Sequence, residues 1–573
     1  MKRNSLILVS AMAVGIAFSA CNPLKQMKKE HPNVKYTVNP PVLELVGDQV
    51  NISINGSYPA GYFNRKVVLT LTPTLQTSSG NEMNFDVYKV QGESVKENNK
   101  VIKVDGGSFN YASKVAYKPD FQLSELVLKV TGVYKDKQPG LDFDPYKLAD
   151  GIITTCLLVE KNGKATFAPD KYVRTTPDSY ETDVKYVIQQ SDVRASELKK
   201  PEMMAFAEAV KAAAANERIN FKGTQLSSYA SPDGPFDLND KLANARQKNG
   251  TDFFTKNLKA ANANDVLKSD LLKTLVTPED WDGFKKLMEQ SSIRDKELIL
   301  RVLSMYSDPV VREREIRNIS AAFEEIKEKI LPQLRRTKLT VNVELVGLSD
   351  QEINAQFNSD PSKLKLEEIL YAGTLTQDAN RKLAIYQAAA RYFPNDWRTK
   401  NNLGAALLNL GRTSEAKTAL NEAKNLDNNA TVKNNLGVVA LREGNLAAAE
   451  ELLAGAGSTN DAKFNLGTIK IIQGAYADAI NYFGNQVEVN AALAKLLSKQ
   501  NDAALSTLNS VKSDAPVVNY LKAIVGARTQ NTNLLMDNLK IACQKSAELK
   551  ARAKKDVEFG KYFGDNTFKS IVQ

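Results

Sequence analysis

Asn401-Asn402-Leu403-Gly404, followed by Gly411 and Ala416, is repeated as Asn434-Asn435-Leu436-Gly437 with Gly444 and Ala449, and again as Asn465-Leu466-Gly467 with Gly474 and Ala479. The first two copies lie 33 residues apart and the third follows after 30. Self-similarity at such a period predicts stacked helix pairs: a small residue is needed where the two helices cross, and a helix stop between them. Ala384 upstream and Ala504 downstream occupy equivalent places. The array therefore extends to about five units over roughly residues 366 to 530.

The pattern resembles the tetratricopeptide repeat. The resemblance implies an all-α solenoid over residues 349–573, with a concave side that takes extended peptides or partner helices from another protein. Asn402, Asn435 and Asn465 recur at one first-helix position, where their amides are candidates for bonding a ligand backbone. The alternative is that they face solvent or brace the adjacent turn. The basic run Lys550-Ala551-Arg552-Ala553-Lys554-Lys555 is read as a solvated helix face.

At the other end of the chain, Lys2 and Arg3 precede an apolar run from Leu6 to Phe18 that is too short to span a bilayer. Residues 1–20 are read as a signal peptide. Phe18-Ser19-Ala20-Cys21 resembles a bacterial lipobox, which implies that Cys21 is the first mature residue and carries fatty acyl chains such as palmitate. Several chains together anchor a protein without a transmembrane helix. Asn22 stands where the lipoprotein family tends to place an inner-membrane-retaining Asp, and the linker of residues 21–33 has no acidic export cluster. The expected location is the outer membrane, facing the periplasm. Cys156 and Cys543 are expected as free core thiols.

Between linker and repeats the sequence divides in two. Residues 34–167 carry alternating β-branched runs, such as Val50-Asn51-Ile52-Ser53-Ile54 and Leu126-Val127-Leu128-Lys129-Val130, separated by turn clusters such as Asp105-Gly106-Gly107. That cadence predicts an antiparallel β-sandwich. The cluster Tyr58, Tyr62, Phe63 is either its core or a binding edge.

Residues 180–348 change to strand, helix, strand, helix. Tyr186-Val187-Ile188 is expected as a short strand, Pro201 to Ala215 as a helix, and Thr224-Gln225-Leu226 as the start of a second strand. After the loop Ser228-Tyr229-Ala230-Ser231-Pro232-Asp233-Gly234, Gly234 lies three residues after Ser231, Asn239 eight, Leu242 eleven and Arg246 fifteen. This spacing resembles the OmpA-like peptidoglycan-binding domain. The resemblance implies an α+β fold of β-α-β-α-β type, in which an aspartate and an arginine clamp the amine and carboxylate of diaminopimelate in the cell-wall stem peptide. One partner of each charge suits a zwitterion, and arginine supplies a bidentate fork. Arg246, Asn239, Ser231 and Asp233 are therefore candidate peptidoglycan residues. The aspartate position itself is Ser231, so binding requires Asp233 to act in its stead; otherwise Arg246 and Asn239 only brace the loop. A helical insertion is expected at about 260–336, with Trp281 and Phe284 in its core and Ile316, Ile319, Phe323, Ile326 and Ile330 on one apolar face, before a closing strand at Leu339–Leu345. A separate helical domain is the alternative.

The 573 residues are 43% hydrophobic and 25% charged, with 76 Lys plus Arg against 66 Asp plus Glu, one His, three Cys and two Trp. So few His and Cys leave little for zinc or di-iron chemistry. There is no P-loop, HExxH, GxSxG or Rossmann glycine turn. No catalytic residue, metal or cofactor is expected, and the compartment argues against nucleic acid. Two functional readings lead, with a surface-exposed subunit as a third. One is an envelope adaptor tethering the outer membrane to peptidoglycan or scaffolding a periplasmic protein through its repeats. The other is an accessory subunit of an outer-membrane protein complex whose OmpA-like domain does not bind peptidoglycan.

Overall fold

Strict inside-outside alternation along Gln49–Tyr58 buries Val50, Ile52, Ile54 and Tyr58 and turns Asn51, Asn55 and Ser57 outward. In the computed structural model, which describes residues 23–137, 139–260 and 271–573, this strand pairs along its length with Gly107–Ala116. Its other edge meets Lys35–Asn39 and Leu43–Val46 end to end. A second sheet is built on Val67–Gln76 paired antiparallel with Glu125–Tyr134. The two sheets share one core that includes Leu43, Ile54, Leu69, Leu71, Leu126 and Val130. Tyr58, Tyr62 and Phe63 are buried in it, so this aromatic cluster is core and not an edge. The pairing is not wholly antiparallel: Ile152–Ile153 runs parallel to Leu43–Val46, and Lys100–Ile102 parallel to Tyr88–Gly92. Cys21 lies outside the described residues.

The chain forms two compact units that differ from the domain boundaries expected above. One combines residues up to Ala168 with Phe393–Gln573, and the other is Pro169–Tyr392. The sandwich is not free-standing. Thr155 Oγ1 donates to Glu558 at 2.5 Å, Arg552 Nη2 donates to the Thr154 carbonyl at 2.8 Å, and the Tyr476 hydroxyl donates to the Leu45 carbonyl at 3.3 Å. Arg552, expected on a solvated face, thus ties the last helices to the sandwich and pairs with Asp556 as well. Cys156 and Cys543 are free and buried.

Within the same unit, the helix pairs Trp397–Asn409 with Thr413–Leu426, Ala430–Arg442 with Leu446–Ala454, and Asn460–Ile472 with Tyr476–Phe483 carry the repeat motif. Val489–Leu497 with Asn501–Ser510 and Pro516–Arg528 with Thr532–Lys545 continue the stack. Gly404, Gly437 and Gly467 sit at the crossings, where a Cβ would lie 2.5 Å from Leu420, 2.6 Å from Leu453 and 2.8 Å from Phe483. Gly411, Gly444 and Gly474 end the first helices at φ near +75° to +79°, the left-handed conformation that favours glycine. Lys499 and Gln530 hold the same place in the last two pairs.

In the other unit the sheet order is Thr175–Lys185, Arg336–Val346, Ile219–Tyr229, Leu272–Thr277, antiparallel except for the last pair. Two expectations are corrected. The first strand ends at Lys185, and Val187 and Ile188 are exposed; its polar sequence with Pro177 marks an edge strand that lacks apolar alternation. The stretch expected as a helical insertion contains the strand Leu272–Thr277, whose half-exposed edge position leaves no period-two signal. Leu339–Leu345 lies in the middle of the sheet. The helices between Trp281 and Leu334 bury Phe284, Met288, Ile316, Ile326 and Ile330, with Trp281, Ile319 and Phe323 packed at the margin. The helices Asp350–Ser359, Leu366–Ala372 and Ala379–Tyr392, expected in the repeat domain, belong to this unit, where Arg218 pairs with Glu352 and Lys171 N–H donates to Glu367.

Candidate functional site

An extended strand presents the N–H and C=O of one residue to the same side and repeats that side every second residue. A carboxamide, with one donor and one acceptor edge, matches such a pair. The segment from Glu160 to Ala168 runs against the first helices of the repeats, and beyond the turn at Gly163 every second residue, Lys164, Thr166 and Ala168, is held in this way. Asn402 Oδ1 accepts from the Ala168 N–H at 2.7 Å while its Nδ2 donates to the Ala168 carbonyl at 2.9 Å. Asn435 does the same to Thr166 at 2.7 and 2.8 Å, and Asn465 to Lys164 at 2.7 and 2.9 Å. Asn490 holds Glu160 at 2.9 and 2.8 Å. Since both edges of each amide are engaged by one residue, the orientation of the amide is determined by its partners.

The asparagines are also linked to one another. Asn435 Nδ2 donates to Asn401 Oδ1 at 2.9 Å, Asn465 Nδ2 to Asn434 Oδ1 at 3.0 Å, and Asn490 Nδ2 to Thr468 Oγ1 at 3.0 Å. Asn434 Nδ2 reaches the Lys164 carbonyl and Thr166 Oγ1, both at 3.0 Å. All these amides are buried, and the network satisfies them. Beyond the backbone, Thr166 Oγ1 donates to Asp461 at 2.7 Å. Lys164 pairs with Glu488 and lies 4.6 Å from the centre of the Phe464 ring. Arg442 Nε donates to the Asn162 carbonyl at 2.6 Å. Burial, reinforced by Glu488, raises the Glu160 carboxyl above the ordinary carboxylate value.

The structure thus brings Asn402, Asn435 and Asn465 together on one peptide backbone, and that backbone belongs to the same chain. Asn490 was not among the residues singled out by the repeat motif, because Leu-Gly is missing from its helix and the interval shrinks to 25 residues. Its signal is the offset. Asn402, Asn435, Asn465 and Asn490 each lie nine residues before the left-handed residue Gly411, Gly444, Gly474 or Lys499. In the next pair that offset holds Leu521, and the ladder ends.

The second candidate cluster closes on itself. Arg246 is buried in the helix Phe236–Ala260; its Nε donates to the Gln190 carbonyl and its Nη1 to the Tyr229 carbonyl, both at 3.0 Å, with its guanidinium 5.1 Å from the Tyr186 ring centre. Burial lowers its pKa to about 10, which leaves it charged at neutral pH. Arg335, which the sequence reading did not single out, donates from Nε to Ser231 Oγ at 3.0 Å and pairs through Nη2 with Asp233 at 3.1 Å. Ser231 donates in turn to Asp233, and Asn239 Nδ2 to the Gly234 carbonyl at 3.0 Å. The cavity among Ser231, Asp233, Asn239, Arg246 and Arg335 is about 50 Å³, space for a few waters at most. Nothing in the motif spacing pointed to Arg335, which lies 104 residues after Ser231.

Among the described residues no group of three His, Cys, Asp or Glu is placed to hold a metal ion, and no helix is long and apolar enough to cross a membrane. The tetratricopeptide-repeat family profile matches residues 398–429. No curated protein matches the chain. Among solved structures, a tetratricopeptide repeat protein from Parabacteroides merdae is similar at 13% identity over 39% of this chain and 89% of that one, with a TM-score of 0.28. A chain of the APC/C hetero-tetramer Cut9-Hcn1 is similar at 15% identity over 60% of this chain and 77% of that one, with a TM-score of 0.33. The chain joins a β-rich N-terminal region to a C-terminal helical-repeat region, within which residues 398–429 match the tetratricopeptide-repeat profile.

Proposed function

We propose that the chain is a non-catalytic, lipid-anchored scaffold of the bacterial outer membrane, an accessory subunit of a membrane protein complex whose OmpA-like domain does not hold peptidoglycan. The observation that favours this over a cell-wall tether is that the charged groups of the loop pocket are already paired within the chain. A diamino acid needs a cation for its carboxylate and an anion for its ammonium. Arg246 is turned onto two backbone carbonyls, and Asp233 with Ser231 already has the Arg335 guanidinium. The lipobox-like Phe18-Ser19-Ala20-Cys21 supports the anchor, and the repeats support a protein partner.

Sedimentation of the acyl-free protein with sacculi containing diaminopimelate tests the reading. The protein is expected to stay in the supernatant, while cross-linking in intact cells traps a membrane partner. Pelleting that Arg246→Ala abolishes would restore the tether. Labelling with a palmitate analogue tests the anchor separately; the label is expected on the wild type and not on Cys21→Ala.

A further inference from the structure

The groove does more than hold a backbone. Going from Gly163 to Ala168, four positions meet partners that restrict their identity. Gly163 adopts φ +66°, and a Cβ there would lie 2.9 Å from the Val438 side chain and 3.2 Å from Asn465 Oδ1. Lys164 sits between the Glu488 carboxylate and the Phe464 ring, a pairing that a carboxylate or a short neutral side chain could not make. The Thr166 hydroxyl donates to Asp461 and accepts from Asn434, so the position needs one group that does both. Ala168 is 4% exposed and clasped by Asn402, so a longer side chain there would have to be buried in the groove as well.

We infer that the repeat groove is a selective site for an extended peptide of the form Gly-Lys-x-Thr-x-Ala, and that residues 163–168 of the same chain are its resident ligand, closing it to partners in trans. The inference rests on the repeats being a protein-binding scaffold and is independent of the membrane anchor and the loop pocket. Tethering explains the closure. Leu158 and Val159, just before the segment, are part of the solenoid core, and Thr154 and Thr155 are bonded to Arg552 and Glu558. A segment held so close acts at an effective concentration of about millimolar or more. A free peptide with the same contacts is outcompeted until the resident segment is disabled.

The test uses a fluorescent peptide of residues 160–170 and the acyl-free full chain. Thr166→Pro/Ala168→Pro removes the two N–H groups that Asn435 and Asn402 accept, and disables the resident segment without altering the groove. The peptide is expected to bind this variant about 100-fold or more tighter than the wild type, in line with the loss of an intramolecular competitor. Adding Asn435→Ala to the variant, or Lys164→Glu to the peptide, should weaken binding at least about tenfold. Equal binding to wild type and variant overturns the closure. Failure of a folded variant to bind, or equal binding of a scrambled peptide, overturns the selectivity. Should the variant not fold, amide exchange on the wild type decides. The amides of Glu160, Lys164, Thr166 and Ala168 are expected to be protected and to lose that protection in Asn435→Ala/Asn465→Ala; exchange in the wild type at the rate of an unstructured peptide overturns the inference.

Discussion

A carboxamide that clasps both polar groups of one residue is costly to remove, because truncation strands a donor and an acceptor together. Asn435→Ala leaves the Thr166 N–H without its acceptor in a buried groove, leaves the Thr166 carbonyl with only the longer bond from Asn401 Nδ2 at 3.2 Å, and breaks the link to Asn401 Oδ1. The expected loss is about 1–3 kcal/mol, read as a lower melting temperature. Glu160 adds a pH dependence. Its carboxyl is raised above the ordinary value, chiefly by burial and further by Glu488, so the folded state takes up the proton more readily than the unfolded chain. The stability this contributes is present below the unfolded pKa and is lost as pH rises through the folded one. Glu160→Gln should therefore raise the melting temperature at pH 7 and leave it nearly unchanged near pH 4; the opposite order would show that the carboxylate is stabilised by its surroundings. At the loop, Arg246→Ala deprives the Gln190 and Tyr229 carbonyls of a charged donor, so a lower melting temperature is expected whether or not anything binds there.

The helix pair is the element whose geometry repeats, and its two glycine positions act differently. At the crossing, the glycine permits close approach. Alanine at Gly437 would gain up to about 1 kcal/mol in helix propensity. Its Cβ, however, falls 2.6 Å from Leu453, which is fully buried and cannot swing away. Overpacking of this kind costs about 1–3 kcal/mol, so Gly437→Ala is expected to lower the urea midpoint. At the stop, glycine relieves the backbone. Gln530 occupies the left-handed position at φ +59°, where a side chain costs about 1–2 kcal/mol. Gln530→Gly should raise the urea midpoint, by the fraction of that cost not offset by the greater entropy of the unfolded chain.

On the scale of the molecule, the sandwich and the repeats are one unit even though more than two hundred residues separate them in sequence. Ion pairs and hydrogen bonds of Thr154, Thr155, Glu44 and Leu45 with Arg552, Glu558, Lys499 and Tyr476 hold them together, and the groove-bound segment adds a second line of attachment. Replacing residues 171–391 by a flexible Gly-Ser linker should leave this unit folded, with sandwich and repeats melting in a single calorimetric transition. Two separate transitions would mean that the contacts between them are too weak to couple their unfolding.

The repeat period and the alternating strands are legible in the sequence, because each depends on neighbours within a few tens of residues. The recurrent amides at Asn402, Asn435 and Asn465 were legible for the same reason, as one position sampled at a fixed period. What lies across the groove from them was not. Glu160 to Ala168 carries no periodic signal, since its order comes from partners more than two hundred residues away. Separation in sequence also hid Arg335 from Ser231 and Asp233 and the union of sandwich with solenoid, and the edge strands Thr175–Lys185 and Leu272–Thr277 carry too little apolar alternation to be read as strands. Local sequence determined the elements with a clear period, the repeat helices and the sandwich strands, and where side chains point along them. Only tertiary structure decided which donors meet which acceptors, because a hydrogen bond depends on distances that contiguous residues do not set.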